Sequence, residues 1–382
     1  MRIVAVIFHH RAGSGRWESF VDAGRLASTT DLIRALCGAV SDVVVATDCS
    51  KAAAPFSDLG ADLVDTSSDG SGGRSFHYGE HLKGIARDTG AGGLLCFGSG
   101  SGSLLDADRI ARLVTFAERP LPSALLNNFY SCDFVAISGA STLLDLSLPP
   151  TDNALGFALA DGGVPCHALP RDVTSLFDID TPIDLLLLRE SSRGGPTLRA
   201  FVDEASERHP AVAAICDLLT DRSALAYIIG RLHPLTWHAV EQATACRTAA
   251  LVEGRGMKAN ADGRDVLLRQ VLDRDGPRAF LDRLAAVADG AILDTRPLLA
   301  AGGGLPPAED RFACDMLDVD AIEEPRWRAF AEAAREARIP LLLGGHGLVS
   351  GGLLLLSEAC WKGRELPRRL HPESAQWKEV CP

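Results

Sequence analysis

Nowhere in this chain of 382 residues do two of its ten cysteines stand within three positions of each other. That excludes a zinc knuckle and a C-x-x-C redox pair, and leaves the thiols to be read as buried side chains. Basic residues are outnumbered, 38 Lys and Arg against 50 Asp and Glu, for a formal charge of −12. Sequence-independent affinity for nucleic acid needs clustered Lys and Arg, so no nucleic-acid partner is expected. No stretch approaches the roughly 20 uninterrupted apolar residues of a membrane span. The opening run Met1 to Phe8 leads into His9-His10-Arg11 without a small-residue cleavage site and reads as a strand, not a signal peptide. A cytoplasmic protein with no membrane partner is the expectation. Internal repeats are also absent, which disfavours solenoids and propellers.

What is present is ordinary globular composition, 47% apolar and 23% charged, in a chain longer than one average domain. From Met1 to about Glu190, short β-branched runs alternate with amphipathic stretches, the pattern of a mostly parallel sheet covered by helices. Strands are expected at 2–8, 42–47, 61–65, 93–97, 134–138 and 166–169. Helices are expected from an N-cap at Ser28-Thr29-Thr30-Asp31, over 78–87, from near Asp106, and over 184–189. Ser191 to Pro196 breaks every pattern and reads as a linker, giving an α/β domain over 1–192 and a second domain over 198–382. Beyond the linker the spacing turns helical, at 198–208, 211–219, 224–229, 264–274, 278–288 and 327–337. Ala291 to Asp294 and Ile339 to Leu343 interrupt it as short strands or buried helix ends. A mainly helical C-terminal domain is expected.

Two segments suggest chemistry. Arg11-Ala12-Gly13-Ser14-Gly15-Arg16 directly follows the first strand. Glycines there let the backbone approach a phosphate, main-chain N–H groups can point at it, and Arg16 adds positive charge. A packing turn is the simpler alternative, and the P-loop spelling, Gly-Lys then Ser or Thr, is not met. In Phe177-Asp178-Ile179-Asp180-Thr181-Pro182-Ile183-Asp184-Leu185, Thr181 and Pro182 open a helix as N-cap and first-turn residues. Asp180 is left just outside, where a carboxylate can face a metal or a ligand. A pure capping motif would use the same residues.

The second segment resembles, in residues and position, the Asp-Thr-Pro-x-Asp-Leu run that closes the catalytic domain of nucleotidyltransferases of the molybdenum-cofactor guanylyltransferase and phospholactate guanylyltransferase type. The resemblance covers about half the chain. It implies a three-layer nucleotide-diphospho-sugar transferase-like fold (GT-A or Rossmann-like). It also implies a nucleoside triphosphate or other phosphorylated small molecule as partner, held by Gly13, Ser14, Gly15 and Arg16. The activity it implies is transfer of a nucleotidyl group to a phosphorylated small molecule, with Arg16 and Asp180 catalytic and Asp180 helping to bind Mg²⁺. The Gly13 to Arg16 turn and Asp180 should then border one phosphate-sized cleft.

The departures from that family are specific. His9-His10 replaces the usual Ala-Ala, and no lysine follows the loop, Arg25 being the possible cationic stand-in; Arg keeps the charge but not the point-charge geometry of Lys. In Gly98-Ser99-Gly100-Ser101-Gly102-Ser103-Leu104-Leu105-Asp106-Ala107-Asp108, Ser101 falls where the metal-binding Asp of the family should be. Neutral serine is a poor Mg²⁺ ligand, so Asp106, Asp108 or Asp133 substitutes, or the metal is not used in the family's way. Ser99, Gly100 and Ser101 could instead cradle an anion at the strand's carboxyl end. Asn127, Asn128 and Asp133 could read a base or sugar edge, or simply make a turn.

Two alternatives follow: a catalytically silent nucleotide- or metabolite-binding protein, or a glycosyltransferase using Asp106-Ala107-Asp108 as its Asp-x-Asp. In the second half, Gly344-Gly345-His346-Gly347 with Arg255, Lys258 or Arg296 could form an anion pocket, glycine-mediated helix packing being the plainer reading.

Overall fold

A computed structural model describes residues 1–67, 76–254, 266–300 and 304–364. Among them the chain divides into two compact units, neither continuous in sequence. The first comprises Met1–Ala12, Asp22–Ile179 and Gly194–Phe201; the second comprises Gly13–Val21, Asp180–Arg193 and the described residues from Val202 onward.

The first unit is built on a seven-stranded sheet. Its strands are β1 (Ile3–His9), β2 (Asp42–Thr47), β3 (Ala61–Asp65), β4 (Gly93–Gly98), β5 (Ser123–Leu126), β6 (Phe134–Ser138) and β7 (Cys166–Ala168), in the order β3-β2-β1-β4-β6-β5-β7. Every pairing is parallel except those of β6 with β4 and with β5. Strand β1 is apolar up to its last residue, His9, because both its faces are covered. Val4, Val6 and Phe8 pack with Tyr78, Leu82 and Ile85 of the Tyr78–Thr89 helix. Ile3, Ala5 and Ile7 pack on the other side, with Leu32, Ile33, Leu36, Leu113 and Phe116. Three layers result, as the sequence pattern requires.

One boundary expected from sequence is corrected. No helix starts at Ser28 to Asp31: a single helix runs Arg16–Leu36. The hydroxyls that suggested a cap are used inside it, Thr30 Oγ1 donating to Leu26 O at 2.9 Å and Thr29 Oγ1 to Ser99 O at 3.3 Å.

The second unit is mainly helical, and its helices surround a four-stranded sheet that is parallel throughout, ordered β11-β10-β8-β9. Its strands are β8 (Leu225–Gly230), β9 (Arg247–Val252), β10 (Gly290–Asp294) and β11 (Leu341–Gly344). The helix expected over 224–229 is therefore strand β8, whose uninterrupted apolar run is that of a strand with neighbours on both edges. The expected helix over 264–274 begins outside the described residues and is seen as Leu267–Asp275. No described helix is long and apolar enough to cross a membrane.

Candidate functional site

In the first unit, the residues singled out for chemistry are tied into the fold. Ser101 is 1% exposed, and its Oγ lies 2.9 Å from the carbonyls of both Gly98 and Asp133, to which it donates. The hydroxyl thus shares its proton between the end of β4 and the residue before β6, and as a neutral buried group it brings no negative charge to a cation. Gly100 allows close backbone approach: its carbonyl accepts from Ile179 N at 3.2 Å, and a Cβ there would meet Ile179 O at 2.6 Å. The buried Ser99 accepts from Thr29 through its carbonyl.

Asn127 spends both ends of its amide. Nδ2 donates to Asp133 Oδ2 at 2.8 Å and to Ser175 O at 3.1 Å, while Oδ1 accepts from Asp133 N at 2.9 Å and Phe134 N at 3.2 Å. Asn128 makes an Asx turn to Tyr130 N at 3.2 Å. Asp106 caps the Ala107–Ala117 helix, accepting from Arg109 N at 2.8 Å, so the Asp-x-Asp spelling is a helix start. Arg25 donates Nε to Ile179 O at 2.7 Å. His9 closes β1 fully buried, and burial first, with Arg25 second, lowers its imidazole to about 4.

The second unit holds the other group, Gly13, Ser14, Gly15, Arg16 and Asp180. Here the glycine turn does receive an anion, and the anion is the chain's own Glu309. The first N–H groups of the Arg16–Leu36 helix have no intrahelical acceptor and sit at the positive end of the helix dipole. Trp17 N lies 2.9 and 3.1 Å from the two Glu309 carboxylate oxygens, and Glu18 N donates to Oε2 at 2.9 Å. A Cβ at Gly15 would fall inside that carboxylate, so glycine is what permits the approach. Gly15 N is satisfied by Glu18 Oε2 at 3.0 Å. Arg16 pairs with Asp318 at 3.2 Å, and the same Asp318 oxygen accepts from Trp17 Nε1 at 2.9 Å.

Asp180 is exposed, and its N–H donates to Asp184 Oδ2 at 3.0 Å. Asp184 is fully buried and forms a capping box with Thr181, its Oδ2 also accepting from Thr181 N at 2.7 Å and Oγ1 at 2.9 Å. Burial first, and the charge of Asp180 second, push its carboxyl up to about 7.

Arg311 of the Ala308–Asp315 helix interacts electrostatically with Arg296, Asp315, Asp180 and Glu18. The glycine turn and Asp180 fall in the same unit, and Glu309 and Arg311 of one helix interact with residues of the two segments. Among the described residues no group of three or more His, Cys, Asp or Glu could hold a metal ion.

Sequence reasoning did not find Glu309, Asp318 or Arg311. Glu309 lies 292 positions from Trp17, and no local spacing marks it. Arg255 and Lys258 lie outside the described residues.

No protein-family model matches the chain, and no curated protein matches it. Among solved structures it is similar to a nucleotidyl transferase from Methanothermobacter thermautotrophicus, at 17% identity and a TM-score of 0.39, over 50% of this chain and 96% of the other. It is also similar to a cytidylyltransferase from Leptospira borgpetersenii serovar Hardjo-bovis, at 13% identity and a TM-score of 0.37, over 53% of this chain and 92% of the other. Neither likeness bears on what this chain binds or does.

Proposed function

We propose that this chain is a catalytically silent, nucleotidyltransferase-like protein that binds a nucleotide or another phosphorylated metabolite by exchanging it for its own Glu309 carboxylate. The observation that carries the reading is the carboxylate seated on the N–H groups of Trp17 and Glu18. Those donors select negative charge without regard to its source, so a phosphate oxygen competes for the same place. Silence follows from Ser101, whose hydroxyl is committed to two carbonyls at the position where the family resemblance calls for a metal carboxylate.

Titration calorimetry with each nucleoside triphosphate and Mg²⁺ tests the binding step, on the natural chain and on Glu309→Ala. Tighter binding by the variant supports the reading; equal affinity of the two proteins, or no binding by either, refutes it. A second reading, nucleotidyl transfer from a nucleoside triphosphate to a phosphorylated small molecule, is favoured by the exposed Asp180 carboxylate beside the helix Pro182–Ser191. Pyrophosphate release with phosphorylated acceptors, abolished in Asp180→Asn, would establish it in place of the silent reading.

A further inference from the structure

The sheet of the second unit has a point where its strand order reverses. In chain order, β9 is added on one side of β8 and β10 on the other, so the connections leave in opposite directions from the carboxyl ends of β8 and β10. Open parallel sheets bind their ligands at that reversal.

The chemistry gathered there is dense. Gly230 ends β8 in the left-handed region at φ 133°, where a Cβ would collide with Asp294, the last residue of β10. Arg231 follows and grips Asp294 with a two-pronged contact, Nε to Oδ2 at 2.6 Å and Nη2 to Oδ1 at 3.0 Å. Arg296, two residues past Asp294, pairs in the same way with the buried Asp315, at 2.5 and 2.7 Å. Gly345 and the exposed His346 follow β11, and a Cβ at Gly345 would stand 3.7 Å from Arg296 Nε.

These pairs are a poor way to stabilise a sheet edge, since well-packed apolar residues serve at least as well as buried ion pairs. Hydrogen-bonding capacity is also left unspent. Arg311 Nε is buried with no partner, and the Arg311 guanidinium is lowered by burial first and by the like charge of Arg296 second. Two guanidinium groups held near each other, one with an idle donor, make a receptor for an oxyanion.

We propose that the carboxyl edge of β8 and β10 binds the phosphate or carboxylate group of a small metabolite through Arg231, Arg296 and Arg311, with His346 at its mouth. The site shares Arg311 with the surroundings of the glycine turn but does not use the Trp17 and Glu18 N–H groups, and it does not depend on nucleotide binding there.

The test uses the full chain, titrated by calorimetry with inorganic phosphate, pyrophosphate and citrate, so that phosphate and carboxylate sources are told apart. Arg231→Lys and Arg311→Lys keep the charge and lose the fork; His346→Ala changes an exposed position and covers the case in which a buried variant does not fold, with circular dichroism reporting folding. About tenfold weaker binding of at least one probe in any folded variant, with no weakening of that probe by Glu309→Ala, upholds the site. No binding of any probe, an affinity equal to that of the natural chain in every folded variant, or a loss that follows Glu309→Ala alone overturns it.

Discussion

Replacing Glu309 by alanine removes an acceptor that two helix N–H groups share, at 2.9 Å from each. Loss of a side-chain cap at a helix N-terminus costs about 1–2 kcal/mol, and the attraction of a carboxylate for the positive helix end contributes about 0.3–1 kcal/mol of comparable origin. The contact ties the Gly13–Val21 segment to the helix Ala308–Asp315 within one unit, so the loss falls on that unit's cooperative melting. For a unit of this size each kcal/mol moves Tm by roughly 2–4 °C, which places the expected drop at about 2–8 °C. Scanning calorimetry of the natural chain and of Glu309→Ala measures it directly. Inorganic phosphate, added to both, should recover more of the loss in the variant, because only there are the Trp17 and Glu18 donors vacant. The double variant with Gly15→Ala supplies the internal control. A methyl at Gly15 overlaps the carboxylate, so the two changes should be strongly non-additive, with the second costing little once the first is made. Melting of Glu309→Ala within about 1 °C of the natural chain, with additive behaviour in the cycle, would refute the claim that this carboxylate is bound as an anion.

Three further outcomes are expected. The Asp184 carboxyl is raised to about 7, so the folded state holds a proton that the unfolded state has released; its contribution is full below the ordinary carboxylate value and is lost as pH rises toward 7. Asp184→Asn should therefore flatten the fall in stability between about pH 4 and 7, as read from denaturant midpoints in a pH series. His209, 5% exposed and lowered to about 4 by burial, has the opposite sign: its contribution is present above the ordinary imidazole value and disappears as pH falls toward 4, so His209→Gln should lose less stability over that interval. Ser101→Ala should cost about 1–2 kcal/mol through the lost bridge between β4 and β6. Ser101→Asp should cost more, since its charge would face the Gly98 and Asp133 carbonyls, and added Mg²⁺ should not raise the Tm of that variant.

Much of the first unit was legible because its strands are covered on both faces and so read as unbroken apolar runs. The spans expected for β1, β4 and β6 match the structure to within one residue at each end. The same property misled at β8, where Leu-Ala-Tyr-Ile-Ile has no alternation to separate a buried strand from a buried helix. Strand β9, Arg-Thr-Ala-Ala-Leu-Val, lies at the sheet edge with its residues only partly buried and gave no signal at all. The false helix start at Ser28 had a different cause. Thr29 and Thr30 are cap residues by preference, and only the fold shows that their hydroxyls turn back onto carbonyls. At the site, the glycine turn was legible as a place where backbone meets an anion. The identity of that anion was not, because the helix carrying Glu309 meets the turn only through tertiary folding.

The carboxylate that stabilises the glycine turn should also set how weakly a nucleotide binds to it, and the two effects share one equilibrium. If the contact contributes about 1–2 kcal/mol, the closed form outweighs the open form by a factor of roughly 5–30. A phosphate that needs the open form then binds the natural chain more weakly than its intrinsic affinity by that same factor. Glu309→Ala should recover it in full, and the gain in affinity should agree with the loss of stability once both are expressed as free energies. A variant that melts 5 °C lower yet binds nucleoside triphosphates no better would show that Glu309 only caps the helix Arg16–Leu36 and guards no ligand site.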